Sequence, residues 1–358
     1  MDNKIVINGA NGYVASHFVS ELIGNNYKVA SLVRANNESD PGERMQEVLS
    51  GIGHEDKHSL KNLEVFNYSL LDEDFAMPEE HLKRVFDQKV DFFHFAASLK
   101  YSERDKEQIC KTNITGVENS IKTFQKYAKP GSRFFYISTA YSCGKTTNVF
   151  KEKFYDNEDI TKFRNYYEKS KREAENIVRK YIDESSLDAY VIRLSQVVGD
   201  SETGVVKTDY GVFDFVKRVY NFTRKYPDTT IRLIVNPDAT QNLIPINNVV
   251  DYFMKLVNIT QLPEVINFVS KTSIKNDDIA KSLCDILPIN LIQDVSVKKE
   301  ELNELERMVA AGMAFTIEYA NLNLEFETTT LDKIIAPNRK ELTPVSLHKM
   351  IECFLTMD

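Results

Sequence analysis

Tyr167 and Lys171 stand four residues apart in the run YEKSKREAENIVRKY. Positions i and i+4 share one face of an α-helix, so the spacing sets a phenol beside an ammonium. An ordinary tyrosine loses its proton near pH ~10, far above neutrality. A cation within a few ångströms stabilises the phenolate and lowers that value. The pair therefore reads as an acid/base for a carbonyl or an alcohol. The spacing is also common, and two solvated residues on a charged helix would look the same. The residues upstream decide between the two.

Near the start, Gly9, Gly12 and Ala15 form a GxxGxxA pattern between the apolar stretch Lys4–Asn8 and a run of helical spacing, Phe18, Val19, Leu22 and Ile23. Such a turn lets the backbone reverse, lets a pyrophosphate approach where a Cβ would stand, and keeps the helix close to the sheet. The free N–H groups and the positive end of the following helix then face the anion. Asn11, Tyr13 and Val14 belong to the same cradle. The pattern alone is a weak signal, but a first strand–helix junction is the context it requires. The second strand ends in LVRA, with Arg34 and no acid before Glu38, and Arg44 follows. An acid at this place suits the ribose 2′-OH of NAD, whereas a guanidinium suits the 2′-phosphate of NADP. The expected cofactor is NADP(H). The alternative for Arg34 is a solvent-exposed residue at a strand end.

These groups need a scaffold, and the chain supplies alternating strands and helices. Strands are expected at Lys4–Asn8, Lys28–Arg34, Leu63–Tyr68, Val90–His94, Phe134–Ser138 and Ala189–Leu194. Helices fit at Glu43–Leu49, at Glu79–Phe86 and over a long stretch from Glu107 to Tyr127. Alternation of this kind implies a Rossmann-type α/β fold, a doubly wound parallel sheet with helices on both faces. Residues 1–204 form the expected NADP-binding domain, and 205–358 a smaller mixed α/β substrate-binding region that packs partly back on the sheet. In that second part, helices are expected over 210–222, 247–257, 273–287, 300–319 and 343–358, with strands at 230–235 and 265–269. The aromatics of DYGVFDFVKRVYNF read as core, or as the wall of an acyl channel. The AAGMA stretch would allow close helix packing or leave room for a ligand.

Composition bounds the rest. The 358 residues are 42% hydrophobic and 27% charged, which suits a folded chain of one large or two modest domains. A net charge of -8 argues against nucleic acid as a partner. No apolar run approaches ~20 residues, so no membrane span is expected. The start, MDNKIVINGANG, lacks the form of a signal peptide. Cys110, Cys143, Cys284 and Cys353 show no paired spacing, which fits free thiols in a reducing cytoplasm. The six histidines form no metal-ligand cluster, so no metal is expected.

The ordered set NGANGYVA, LVRA, HFAAS, KTNITG, FFYISTAYSCG, YEKSK and RLSQVVGDSETG resembles an extended short-chain dehydrogenase/reductase. LVRA followed by ERM, STAY in place of a double serine, and GDSETG are similar to the thioester reductase group, the terminal reductases of carboxylic acid reductases and peptide synthetases, and to fatty acyl reductases. The resemblance covers roughly residues 1–270 well and the C-terminal third loosely. It implies that Thr139 binds the substrate oxygen (with Ser138 as a fallback), that Tyr167 donates the proton, and that Lys171 holds the nicotinamide ribose and lowers the pKa of Tyr167. It places Asn113 in a proton relay or, equally, as a plain helix residue. Ala96 and Ala97 become the small residues under the cofactor, Ser69 and Leu70 the adenine side, and Leu194, Ser195 and Val197 the nicotinamide lining. The sequence departs from the pattern at Asn8, Ala15, Ser69, Phe95 and Leu194, and no departure removes a catalytic group.

The implied reaction is NADPH-dependent hydride transfer to a carbonyl or thioester, from acyl carrier or acyl-CoA to aldehyde or alcohol. A carrier protein would act in trans, and the state would be monomer or homodimer. A ketone or aldehyde reductase or a nucleotide-sugar epimerase or dehydratase of the same superfamily would share every catalytic residue. A non-catalytic NADP sensor would usually lack the Tyr–Lys pair.

Overall fold

The computed structural model describes residues 3–54, 56, 58–313 and 317–357. The chain begins β1 (Lys4–Asn8), α1 (Tyr13–Gly24), β2 (Val29–Val33), α2 (Pro41–Gly51), β3 (Leu63–Asn67), α3 (Glu79–Val85) and β4 (Val90–His94). It continues through α4 (Lys106–Cys110), a π-helical turn (Lys111–Thr115), α5 (Gly116–Tyr127), β5 (Arg133–Thr139), α6 (Tyr166–Ser185) and β6 (Ala189–Leu194). Then come β7 (Gln196–Val198), α7 (Val212–Thr223), β8 (Thr229–Leu233), β9 (Thr240–Gln241), β10 (Leu243–Pro245), α8 (Ile246–Leu256) and β11 (Val265–Phe268). The last elements are β12 (Ile274–Lys275), α9 (Asn276–Ile286), β13 (Ile289–Gln293), α10 (Glu304–Gly312), α11 (Ile317–Ala320) and α12 (Pro344–Met357). Of the predicted helix over 300–319, residues 314–316 lie outside the described residues, as does Asp358 at the end of the last helix.

Contacts divide the chain into two units. The first holds Met1–Leu194, Val249–Phe268 and Glu327–Asn338. Its sheet has seven strands in the order β11-β6-β5-β4-β1-β2-β3, each pair parallel. The six strands expected from the N-terminal half are all present, and β11 adds a seventh beside β6. A parallel sheet covered on both faces requires apolar runs rather than alternation. β1, β2, β4 and β5 are accordingly buried along their whole length. Phe92 stacks on Phe134 with centroids 5.4 Å apart, and Phe93 on Phe135 at 4.5 Å.

Two features bend the expected pattern. The helix predicted from Glu107 to Tyr127 is interrupted by the π-helical turn at Lys111–Thr115. Such a bulge inserts one residue and redirects a side chain, commonly at a functional position. After β3 the chain makes a left-handed turn, with φ of 48° at Asp74, 58° at Phe75 and 51° at Ala76. Burial of Phe75 and hydrogen bonds to the Asp74 carboxylate from Lys126 Nζ (2.6 Å) and the Tyr127 hydroxyl (2.9 Å) hold it.

The second unit holds Ser195–Asn248, Val269–Phe326 and Arg339–Asp358. Three strand pairs, β7 with β10, β8 with β13 and β9 with β12, lie among helices. Its core gathers Phe213, Val216, Ile231, Leu283, Leu347 and Ile351. Thr343 accepts from the Ser346 N–H (3.1 Å), and Pro344 opens α12, as expected from the sequence.

Ala76 has a Cβ at a backbone conformation that costs L-residues roughly 1 kcal/mol. Ala76→Gly is therefore expected to stabilise the protein by about 1 kcal/mol, read as a higher urea midpoint with an unchanged slope.

Candidate active site

Gly9, Arg34, Ser69, Ala96 and Thr139 fall at or just after the C-terminal ends of parallel strands, where α/β sheets bind ligands. Gly9 follows β1 with φ 63°, and a Cβ there would sit 2.9 Å from the Ala96 backbone. Only glycine permits that approach of the first turn to the segment after β4. Asn8, wholly buried, ties the same two strand ends together. Its side chain accepts from the Ala96 N–H (3.0 Å) and meets His94 Nδ1 (2.9 Å). Gly12 stands at the cap of α1 with extended backbone and no side-chain hydrogen bond to the first turn, so the helix opens beside the glycine turn. The Gly9 N–H donates to the Tyr68 hydroxyl at 3.2 Å. Burial raises the Tyr68 pKa to about 12, against the opposing pull of that N–H and of Arg34.

Arg34 follows β2 and Arg44 lies in the first turn of α2, where its guanidinium donates to the Arg34 carbonyl. Among the described residues neither is ion-paired with a carboxylate. Ser69 and Leu70 follow β3. The Ser69 hydroxyl donates to Asp72, and the Leu70 carbonyl accepts from Asn119 Nδ2 at 2.8 Å. Gly116 lets this loop close in, because a Cβ there would meet the Leu70 side chain at 2.7 Å. Ala96 is buried and Ala97 half-buried after β4. Asn113 sits in the π-helical turn. Its amide accepts from the Ser98 N–H (2.6 Å), and donates to the Ser98 carbonyl (3.0 Å) and to Ser170 on α6 (2.9 Å).

Thr139 ends β5, buried, and caps the turn Ala140–Cys143 by accepting from the Tyr141 N–H at 3.2 Å. Its hydroxyl reaches the Leu194 carbonyl at 3.4 Å, and Thr139 pulls the Tyr167 pKa downward. Ser138, the fallback, is committed elsewhere: its hydroxyl donates to Glu175 at 2.6 Å. α6 begins at Asn165, which accepts from the Glu168 N–H at 3.0 Å, so Tyr167 lies in the first turn. Ser195 and Val197 belong to the second unit, beside and within β7. The Ser195 hydroxyl is buried without a hydrogen-bond partner.

One expectation is not met. Lys171 does not act on the Tyr167 phenol. Its Nζ donates to the Ile137 carbonyl at 2.8 Å and lies 5.0 Å from the centre of the Tyr136 ring. Burial dominates the phenol and the Glu168 carboxylate adds to it, so the Tyr167 pKa is raised despite the opposing pull of Thr139. The amine is itself desolvated. Burial lowers its pKa to about 7, against the pull of Glu175.

The sequence reading also missed the groups behind the site. Glu175, wholly buried, accepts from Ser138, Ser142 (2.8 Å), Arg172 (2.7 Å) and Arg193 (2.6 Å). Burial alone would raise its pKa, but Arg172 and Arg193 reverse the shift and hold it near about 2. The His94 pKa falls to about 3, first by burial and then by the charge of Lys171. A carboxylate four residues after Lys171 was the only available signal. Among the described residues no His, Cys, Asp and Glu cluster could hold a metal, and no helix is long and apolar enough to cross a membrane.

The family profile described as male sterility protein, an NAD-binding family, matches residues 7–253. None of the curated proteins compared with the chain matches it. Among solved structures, the terminal R domain of the myxalamid PKS-NRPS pathway aligns over 99% of this chain and 91% of its own, with TM-score 0.77 and 15% identity. A thiolation-reductase di-domain from an archaeal non-ribosomal peptide synthetase aligns over 100% and 76%, with TM-score 0.76 and 18% identity. The UDP-glucuronic acid 4-epimerase of Bacillus cereus aligns over 99% and 100%, at TM-score 0.68 and 13% identity. The family match over residues 7–253 means that the chain belongs to the male sterility family of extended short-chain dehydrogenases/reductases, enzymes of a nicotinamide cofactor.

Proposed function

We propose that the protein is an NADPH-dependent reductase acting on the carbonyl carbon of an acyl thioester, carried by coenzyme A or by a carrier protein in trans. The observation that carries this reading is that Thr139 at the end of β5 acts on the buried phenol of Tyr167 in the first turn of α6. The nicotinamide supplies a hydride when bound.

The residues present fit that cofactor. A cradle that a Cβ at Gly9 would fill, an α1 terminus without a side-chain cap, and two guanidiniums without carboxylate partners suit a pyrophosphate and a 2′-phosphate. Arg34 and Arg44 favour NADP(H) over NAD(H). Ser69 and Leu70 would hold the adenine, Ala96 and Ala97 would leave room beneath the cofactor, and Leu194 would line the nicotinamide. Lys171 would hold the ribose, and Asn113 ties the π-helical turn to α6 behind it.

Thr139 and Tyr167 orient the substrate oxygen and donate hydrogen bonds to the negative charge that grows on it. Tyr167 then delivers a proton to that oxygen. A thioester that has gained a hydride at carbon and a proton at oxygen is a hemithioacetal, which breaks its C–S bond, passing the hydroxyl proton to sulfur, to give an aldehyde and a free thiol. With its pKa near neutrality, Lys171 can exchange a proton with its surroundings at pH 7 rather than acting as a fixed charge. The epimerase reading shares the fold, but Arg34 and Arg44 favour NADP(H), whereas the Bacillus cereus epimerase was solved with NAD.

Tyr167→Phe is expected to cut turnover by roughly 10²–10⁴-fold while NADPH binding is retained; a variant as active as the wild type would refute the role. Arg34→Ala is expected to weaken NADPH about tenfold to a hundredfold, with NADH little changed, measured by fluorescence titration of both.

A third prediction follows from Lys171. Its folded pKa lies below its unfolded value of about 10.5, so the unfolded chain binds more protons between pH 7 and pH 10.5. Stability should therefore rise with pH across that window, by about 2 kcal/mol from pH 7 to pH 9. Urea unfolding of wild type and Lys171→Met at both values checks it, because the variant should lack this gain.

A further inference from the structure

Glu175 bonds to none of the residues assigned to substrate or cofactor, yet the groups around Thr139 converge on it. β-strand alternation sends Ser138 and Thr139 to opposite faces. Ser138 Oγ donates to Glu175 Oε1 at 2.6 Å, and Ser142 Oγ, at the far side of the turn after Thr139, donates to the same oxygen at 2.8 Å. One carboxylate oxygen thus gathers the chain immediately before and shortly after Thr139.

The second oxygen anchors this point to the neighbouring elements. Glu175 Oε2 accepts from Arg172 at 2.7 Å and from Arg193 at 2.6 Å. Arg172 returns to the Ser142 carbonyl through two N–H groups, at 3.2 and 3.0 Å. Arg193 lies in β6 next to Leu194, whose carbonyl meets the Thr139 hydroxyl. Its guanidinium also donates to the carbonyls of Lys151 and Lys153, each at 3.0 Å. Glu175 itself stands two helical turns after Tyr167 on α6.

We propose that Glu175 is a positioning residue that sets the Thr139 hydroxyl against the Tyr167 phenol. It acts through Ser138 and Ser142 and never meets the substrate. The activity arm of its test rests on the reductase reading above; the structural arm does not.

Ser142→Ala removes one arm of the clamp and leaves both arginine pairs in place, so it is the variant of choice should Glu175→Gln fail to fold. It is expected to lower kcat roughly tenfold with KM unchanged. In a Thr139→Ala background it should cause no further loss, because the two substitutions disable one arrangement. Crystal structures should show the Thr139 hydroxyl in a hydrogen bond with the Tyr167 phenol in the wild type and displaced from it in Ser142→Ala and Glu175→Gln. An unchanged hydrogen bond in Ser142→Ala, with equal losses in both backgrounds, overturns the proposal. If the wild type reduces no carbonyl but the hydrogen bond opens in the variants, the clamp stands and the reductase reading falls.

Discussion

A carboxylate taken wholly out of water is the constraint on which the rest of this structure turns. Burial disfavours the charge of Glu175, and two guanidiniums reverse that penalty. Losing one partner of such a buried set typically costs about 3–5 kcal/mol, because the charges left behind have nowhere to go. The set therefore has one low-energy geometry. It joins α6, which carries Tyr167 and Lys171, to β5, which carries Thr139, and to β6, which carries Arg193. On the proposed reading, the geometry of Thr139 and Tyr167 is inherited from groups that do no chemistry.

The glycine turn of the first unit is built by the opposite means, through absence of side chain. Gly9 is placed so near the Ala96 backbone that no Cβ fits, and Asn8 locks the two strand ends across that gap. His94 is kept neutral by its burial, which spares the region another buried charge. Lys171 is likewise poorly solvated, and its amine bonds to a carbonyl rather than facing the phenol. The simple picture of an ammonium acidifying its neighbour along the helix is replaced by one in which Thr139 is the partner of Tyr167 and Lys171 is a group poised near neutrality.

Much of this was legible in the sequence, for physical reasons. Buried parallel strands must be apolar throughout, so KIVIN, VDFFH and FFYIS announced themselves, and the glycine turn sat where a phosphate cradle has to sit. The rest was hidden. Nothing in KTNIT marks a π-helical turn, because the extra residue changes hydrogen bonding and not composition. Asp74, Phe75 and Ala76 turn left-handed without a glycine, held by packing that only the fold supplies. Glu175, Arg172 and Arg193 are charged residues that read as solvated, since sequence spacing along α6 cannot reveal that its polar face is pressed against β5 and β6. The spacing of Tyr167 and Lys171 was read correctly as one helical face, but a shared face does not fix where a flexible amine bonds.

The account stands or falls on whether this site breaks a thioester. The direct measurement is paired: NADPH oxidation and free-thiol release, followed together on a panel of acyl-CoA and acyl-carrier substrates, with aldehyde and alcohol identified as products. The account predicts thiol appearing in step with NADPH consumed, one for one when reduction stops at the aldehyde and one for two when it runs to the alcohol. Reduction of ketones or turnover of nucleotide sugars with no thiol released from any thioester would contradict it.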